Sequence, residues 1–411
     1  MTEYAQDTDV IIVGGGPAGL GAATYFADHG FHDWVLYERD RIGGAARSTY
    51  ESGGLFPWDH GGHILYSHDE AFLKRMQMFC PMNTIERRAG ALFEGAMYDY
   101  PVQQQIGPEA TRPNMSGFLV ANWGPSLAQR FMWAYNRKMW AHPIADMSAD
   151  WVKERVAVPK NYDNKWGPNA TFLYPKEGGI GSLWTAIAGE LPEENMHYGL
   201  NGADVELKED RSATLHGPSS RTDRRFKYAI STEPITVLRW TLAGDADEVP
   251  LDLSQNQIQV DWFLFHGEID ERFRDLNWVY VADKNIPFHR VPFCDTFYPG
   301  SKPQVHHIMT ETSFSQHKPR PKSFALDVLE GLRNIGLKDL KLCMEYNDTR
   351  HAGYPIPTLG RDAVLAEAHA RLRELGIWSV GRFGGWLYER GNMDHAWQDG
   401  QRAAKEILEA L

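Results

Sequence analysis

Two spacings of hydrophobic residues alternate along this chain, and where one gives way to the other the elements can be drawn. From Asp9 the sequence runs DVIIVGGGPAGLGAATYFADHGFHDWVLYERD. Val10 to Val13 is an unbroken apolar run, the pattern of a parallel strand covered on both faces. From Pro17 the spacing becomes helical, with Ala18, Ala22, Tyr25 and Phe26 on one side, and Trp34 to Tyr37 predicts a second strand. The far end repeats the order: Ile377 to Val380 as a strand, a glycine-rich turn from Gly381 to Gly391, and a helix from Ala396 to Leu411 with Ala403, Ala404, Ile407 and Leu408 inward. Between these ends IQVDWFLFHGEI and HHIMTETSF alternate with a period of two and predict strands of an antiparallel sheet, while LAQRFMWAYNRKMWAH predicts helix.

The expected fold is therefore α/β: a doubly wound, Rossmann-like domain with an inserted helical domain and an antiparallel β-sheet domain. The first would comprise residues 1–86, 169–257 and 341–411, the helical insertion 107–168, and the sheet domain 87–106 and 258–340. Neither repeats nor low-complexity tracts separate these pieces, so the domains should interleave, with a ligand in the cleft between them. The polar, Pro- and Asn-containing stretch near 145–168 predicts a mobile flap.

The glycines at the first change of period carry chemistry. Gly14, Gly16 and Gly19 form GxGxxG, which allows a tight turn, a close backbone approach to a pyrophosphate, and close packing of helix on strand. Pro17 and Ala18 open the helix whose free N–H groups would face that pyrophosphate. Glu38, followed by Arg39, ends the second strand where a carboxylate can accept from an adenosine ribose. The pair Gly43-Gly44 with Ala45 and Ala46 follows a few residues later, as it does where a chain crosses close to a flavin. With the second strand-turn-helix unit, containing Gly381, Arg382, Tyr388, Gly391, Asn392 and Met393, it points to FAD.

Composition narrows the partners. A net charge of −12 argues against a nucleic-acid partner, which needs a dense basic face. Cys80, Cys294 and Cys343 have no CxxC spacing, so neither a disulfide framework nor a thiolate metal site is expected. No apolar run approaches the roughly 18 residues of a membrane span. The expectation is a soluble, cytoplasmic protein with no membrane partner. The stretch WDHGGHILYSH raises a metal question, because it carries His60, His63 and His68. All three lie on one glycine-broken segment, whereas a metal gathers ligands from separate elements, so a backbone turn at Gly61 and Gly62 is expected instead.

The blocks YNRKMWA, ERVAVP, WGPNATF, GGIGSLW, GYPIPTL and GRFGGWLYERGN, in this order, resemble the UDP-galactopyranose mutase family of the eukaryotic type. The resemblance implies an isomerase that interconverts pyranose and furanose forms of a nucleotide sugar, UDP-galactose foremost, without net redox change. It implies reduced FAD, with NADPH or NADH as reductant, whose N5 atom forms an adduct with the sugar. Arg155 and Arg290 would hold the departing diphosphate, and His63, on a turn with Gly61 and Gly62, would respond to N5 chemistry. Tyr66, Tyr100, Gln103, Asn136, Trp140, Asn169, Trp278, Tyr280, Tyr354 and Tyr388 would contact the substrate.

Departures leave alternatives open. The region before YNRKMWA is shorter than in eukaryotic members, so contacts of a homo-oligomer cannot be carried over. Val102 stands where an aromatic is usual, and Tyr66 replaces a Phe. Base and sugar identity are thus less secure than diphosphate recognition. The alternatives are a mutase of another nucleotide sugar, an FAD-dependent oxidase or desaturase of the amine-oxidase type, and a non-catalytic binding module.

Overall fold

The computed structural model describes residues 7–50, 57–102, 114–155, 169–199, 205–208, 211–216, 221–238, 240–241, 251–299 and 304–411, and a few side chains within these spans, that of Arg155 included, lie outside the description. Of the residues expected in the site, Gln103 is not among those described, nor is 156–168 of the expected flap.

A five-stranded parallel sheet orders Ile377–Ser379, Tyr228–Ser231, Val10–Val13, Trp34–Glu38 and Met196–Tyr198. Val10 to Val13 are buried along their whole length, as an apolar run in a covered parallel sheet requires. Helices Pro17–Asp28 and Met393–Ala410 pack side by side on this sheet. Their closeness depends on glycine. A Cβ on Gly400 would stand 1.9 Å from the Ala18 carbonyl oxygen, and one on Gly21 would stand 2.4 Å from that of Trp397. These contacts place the first turns of Pro17–Asp28 against the second turn of Met393–Ala410. Neither has a side chain capping its first turn.

The second sheet has seven strands, in the order Lys341–Arg350, Gln257–His266, Val305–Phe314, Arg290–Pro292, Trp278–Val281, Ala89–Phe93 and Ala96–Asp99. Two expectations are corrected here. Lys341–Arg350 pairs along Gln257–His266 and so extends the sheet domain past the boundary placed at 341, because KLCMEYNDTR is an edge strand with too little apolar alternation to betray its pairing. The sheet is also mixed, since Trp278–Val281 and Ala89–Phe93 run parallel. One face of it joins the nucleotide-type domain in a shared core, with Val260, Trp262 and Met309 beside Trp58 and Ile12. The other face is covered by helix Phe324–Ile335.

The helical insertion comprises Met115–Leu127, a π-helical turn Ala128–Met132, and Trp133–Trp140, followed by Asp150–Arg155. Gly124 and Pro125 kink the first of these, because Gly124 takes a positive φ and Pro125 lacks an N–H. Phe93, Ala282 and Ile356 of the neighbouring units complete its core. Residues 145–155 of the expected flap are tied down: Ser148 N donates to Pro357 O, and Met115 N donates to Met147 O. Among the described residues no helix is long and apolar enough to cross a membrane.

Candidate active site

A cavity of about 880 Å³ opens where the three units meet. Its walls run from Gly14, Gly16, Pro17, Ala18, Glu38 and Arg39, past Gly44, Ala45, Ala46, Gly61, Gly62 and His63, to Gly381, Arg382, Tyr388, Gly391, Asn392 and Met393. From there they continue to Tyr66, Tyr100, Asn136, Asn169, Trp278, Tyr280, Arg290 and Tyr354. Most residues expected from the sequence thus share one wall. Gly19 and Gly43 do not reach it: a Cβ on Gly19 would lie 1.9 Å from the Gly14 carbonyl oxygen, the close packing foreseen for the third glycine, and Gly43 N donates to Gly15 O.

Trp140 is corrected. It is fully buried, its indole N–H donates to Asn136 Oδ1 at 3.2 Å, and its ring meets Tyr388 and Tyr354 edge-on at 4.6 and 5.8 Å. It braces two wall residues without facing the cavity, a role that satisfies its polar tip locally. Arg155 ends helix Asp150–Arg155, three residues beyond Val152, and Trp151 and Val152 line the cavity.

The nucleotide end fits a dinucleotide. Gly16 and Gly44 approach so closely that a Cβ on Gly44 would lie 3.1 Å from Gly16 Cα, leaving a bare backbone cradle beside the uncapped N-terminus of helix Pro17–Asp28. Such an arrangement is suited to a pyrophosphate. Glu38 Oε2 accepts from Gly15 N at 2.8 Å, which fixes the carboxylate at the strand end where a ribose would reach it. A flavin dinucleotide therefore fits the residues present.

The opposite end centres on a pair that only cross-strand pairing creates. Arg290 and Glu311 are opposite one another on neighbouring antiparallel strands. Arg290 donates through Nε to Glu311 Oε2 and through Nη2 to Oε1, both at 2.6 Å. Glu311 Oε1 also accepts from Gly62 N at 2.7 Å, and Arg290 Nη2 reaches Gly62 O at 3.4 Å. Burial alone would raise the Glu311 carboxyl, but the Arg290 guanidinium outweighs it and holds the group down to about 2. Burial likewise works against the Arg290 charge, and Glu311 more than restores it. Glu311 was missed from the sequence, as one polar position in an alternating strand.

Gly61 and Gly62 are required by this pair. Gly61 has φ +139°, a backbone that side chains rarely adopt, and a Cβ on Gly62 would stand 2.9 Å from Arg290 Nη2 and 3.1 Å from Pro292 Cγ. Gly62→Ala is expected to push the Arg290 guanidinium aside, and if that guanidinium holds substrate, to lower kcat/KM by roughly 10- to 100-fold, the cost of a displacement approaching 1 Å; steady-state kinetics on a variant that keeps the wild-type Tm checks this. The turn is held in front by Asp59, whose buried carboxylate accepts from Ser48 Oγ, Tyr174 OH and Ile180 N. His63 follows, and burial, helped by Arg382, Arg350 and Arg290, pushes it down to about 3, so it is neutral at pH 7.

Aromatic rings line the rest. Tyr280 lies 4.8 Å from Tyr100 and 5.5 Å from Tyr135, and Tyr354 lies 5.5 Å from Tyr388. Burial raises the phenols of Tyr280 and Tyr354, which stay protonated and able to donate. Arg87, unmarked in the sequence, donates to Asn169 Oδ1 at 2.5 Å and sits 5.1 Å from the Tyr100 ring centroid.

Burial also sets an acid response. His63, His289 and His307 are each pushed by burial from 6.5 to about 3, so folding favours their neutral forms: that stability is full above 6.5 and is lost as pH falls towards 3. Asp59 and Asp261 are raised by burial from 3.8 to about 6, and these contribute in the opposite sense, stabilising as pH falls from 6 to 3.8. Glu311, depressed from 4.5, loses its contribution as pH falls towards about 2. From these six groups, unfolding takes up about one to two protons between pH 6 and 4.5 and about two to two and a half between 3.8 and 3. Denaturant titrations across pH should show stability falling with pH from 6 downwards, with a slope near pH 3.5 about twice that near pH 5.5; a slope that does not steepen contradicts the assignment.

The NAD(P)-binding Rossmann-like domain family matches residues 12–78. Among curated proteins, UDP-galactopyranose mutase of Mycoplasma pneumoniae is 21% identical over 207 residues, 44% of this chain and 52% of that protein. A probable UDP-galactopyranose mutase of Klebsiella pneumoniae is 22% identical over 228 residues, 47% of this chain and 59% of that protein. The chain spans about half the length of the curated relatives it matches. A crystal structure of reduced UDP-galactopyranose mutase superposes with a TM-score of 0.89 at 28% identity, covering 98% of this chain and 94% of that one. A crystal structure from Exiguobacterium described as a putative protoporphyrinogen oxidase, with a TM-score of 0.74 at 14% identity, shares the fold.

Proposed function

We propose, from the premise that this chain belongs to the UDP-galactopyranose mutase family, that it is a flavin-dependent isomerase interconverting the pyranose and furanose forms of UDP-galactose. The observation that carries this reading is the Arg290–Glu311 pair, set among tyrosine hydroxyls in the same cavity as the dinucleotide cradle. Reduced FAD supplies the nucleophile for the anomeric carbon, so the ring change needs no net electron transfer.

The chain's own residues orient and neutralise. Two of the five guanidinium N–H donors of Arg290, those on Nη1, make no hydrogen bond to a described residue, and they face the task of holding a diphosphate as it departs and returns. Glu311 fixes the guanidinium plane without freedom to turn. Tyr354 and Tyr388 donate phenolic protons to phosphate oxygens, and Arg155 is the second cation. Trp278, Tyr280 and Tyr100 flank the nucleotide, with Asn136, Asn169 and Tyr66 completing the substrate wall. His63 is neutral, so it offers a hydrogen-bonding nitrogen beside the reacting ring and adds no charge. NADPH or NADH as reductant and a homo-oligomeric state belong to the same reading. A cytoplasmic location is supported by three cysteines that are all free.

The test is an anaerobic assay with UDP-galactofuranose, using dithionite-reduced and oxidised protein and separating the ring forms by chromatography. Conversion only after reduction supports the mutase. A protein that carries FAD yet converts nothing points to another nucleotide sugar, and hydride removal from an amine points to the oxidase alternative.

A further inference from the structure

Between the dinucleotide cradle and the glycine turn, the cavity wall holds a cluster that the proposed chemistry does not use. Arg47, His60, Asp348 and Arg350 come from the loop after the glycine pair, the turn itself and the end of the edge strand Lys341–Arg350. Asp348 Oδ2 is the only carboxylate oxygen shared among them in the described structure. It pairs with His60 Nδ1 at 2.7 Å, and lies 3.9 Å from Arg47 Nη2 and 3.8 Å from Arg350 Nε. Thr49 Oγ1 approaches the other His60 nitrogen at 3.3 Å.

The charges do not close. Two guanidiniums share one carboxylate whose best contact goes to His60, and burial holds His60 towards its neutral form. Arg350 carries the imbalance: its Nε and Nη2 are enclosed and have no hydrogen-bond partner among the described residues. Burial and the neighbouring Arg47 draw it down to about 10, which still leaves it charged at neutral pH. An enclosed guanidinium with unused donors is costly unless something accepts from it. No described protein group does, and Arg350 lines the cavity.

We propose that Arg350 and Arg47, steadied by Asp348 and His60, form an anion seat for a negatively charged group of the bound dinucleotide. The proposal rests on the flavoprotein reading. Two parts of FAD share that chemistry, its diphosphate and the pyrimidine edge of the ring when reduced. Guanidinium suits either, since its planar donors match paired oxygens. Asp348 and His60 are positioning residues, which keep Arg350 from turning towards solvent.

The experiment measures FAD affinity of the full-length apoprotein, for oxidised FAD by fluorescence and for reduced FAD anaerobically, in wild type, Arg350→Gln, Arg350→Lys and the remote control Arg272→Gln. Arg350→Gln is expected to bind at least one form about tenfold more weakly or worse, with Arg350→Lys intermediate and the control unchanged. Equal loss for both forms assigns the diphosphate. A further tenfold loss confined to reduced FAD assigns the ring, and lowers the two-electron potential by about 30 mV. If Arg350→Gln fails to fold, as read by its unfolding curve, Arg350→Lys carries the comparison. Wild-type affinity for both forms in the folded variant overturns the seat while leaving the flavoprotein reading intact. A wild-type protein that binds no FAD overturns both.

Discussion

Replacing Arg290 by Ala lowers kcat/KM by at least about 30-fold, the equivalent of roughly 2 kcal/mol or more for losing one partner of a desolvated charge pair. The effect has two sources. The departing diphosphate loses the Nη1 donors, and Glu311, 2% exposed and already bonded to Gly62 N, is left as a buried carboxylate without its cation. Arg290→Lys does not restore activity, because an ammonium cannot hold both Glu311 oxygens and present a second pair of donors. Kinetics on variants with matched unfolding curves check this; wild-type turnover in Arg290→Ala removes it from the site.

Glu311→Ala destabilises the fold by about 3–5 kcal/mol, the usual cost of breaking a buried pair from one side. Here the uncompensated charge is Arg290, and the amide of Gly62 loses its acceptor as well. The double variant Arg290→Met, Glu311→Leu separates fold from function. Removing both charges recovers much of the stability, since apolar residues of similar volume commonly replace a buried pair at little cost. The same variant stays inactive, because nothing holds the diphosphate. Denaturant unfolding with assays on the same samples tests both statements, and an active double variant sinks the assignment of Arg290.

The dinucleotide end was legible because its signal is local. Strand Val10–Val13, the glycines, helix Pro17–Asp28 and strand Trp34–Glu38 follow within some thirty residues, and each step restricts the backbone directly. The C-terminal helix was legible for the same reason, although it begins at Met393, three residues before the apolar pattern declares itself. Arg290 and the tyrosines entered only through the resemblance of the blocks around them. Trp140 shows the limit of that route: the block was right about its neighbourhood, and the packing of its indole against Asn136 turned it away from the cavity.

Order along the chain, the change from strand to helix spacing and the glycine cradle were determined by the sequence by itself, since they depend on residues a few positions apart. Tertiary structure alone decided what stands across from what. Glu311 meets Arg290 through strand register, Asp348 reaches His60 across 288 positions, and Lys341–Arg350 joins the sheet domain by pairing with Gln257–His266. Burial then gave these contacts their meaning, because a carboxylate or guanidinium acquires an altered charge state only once water is excluded and a partner is fixed.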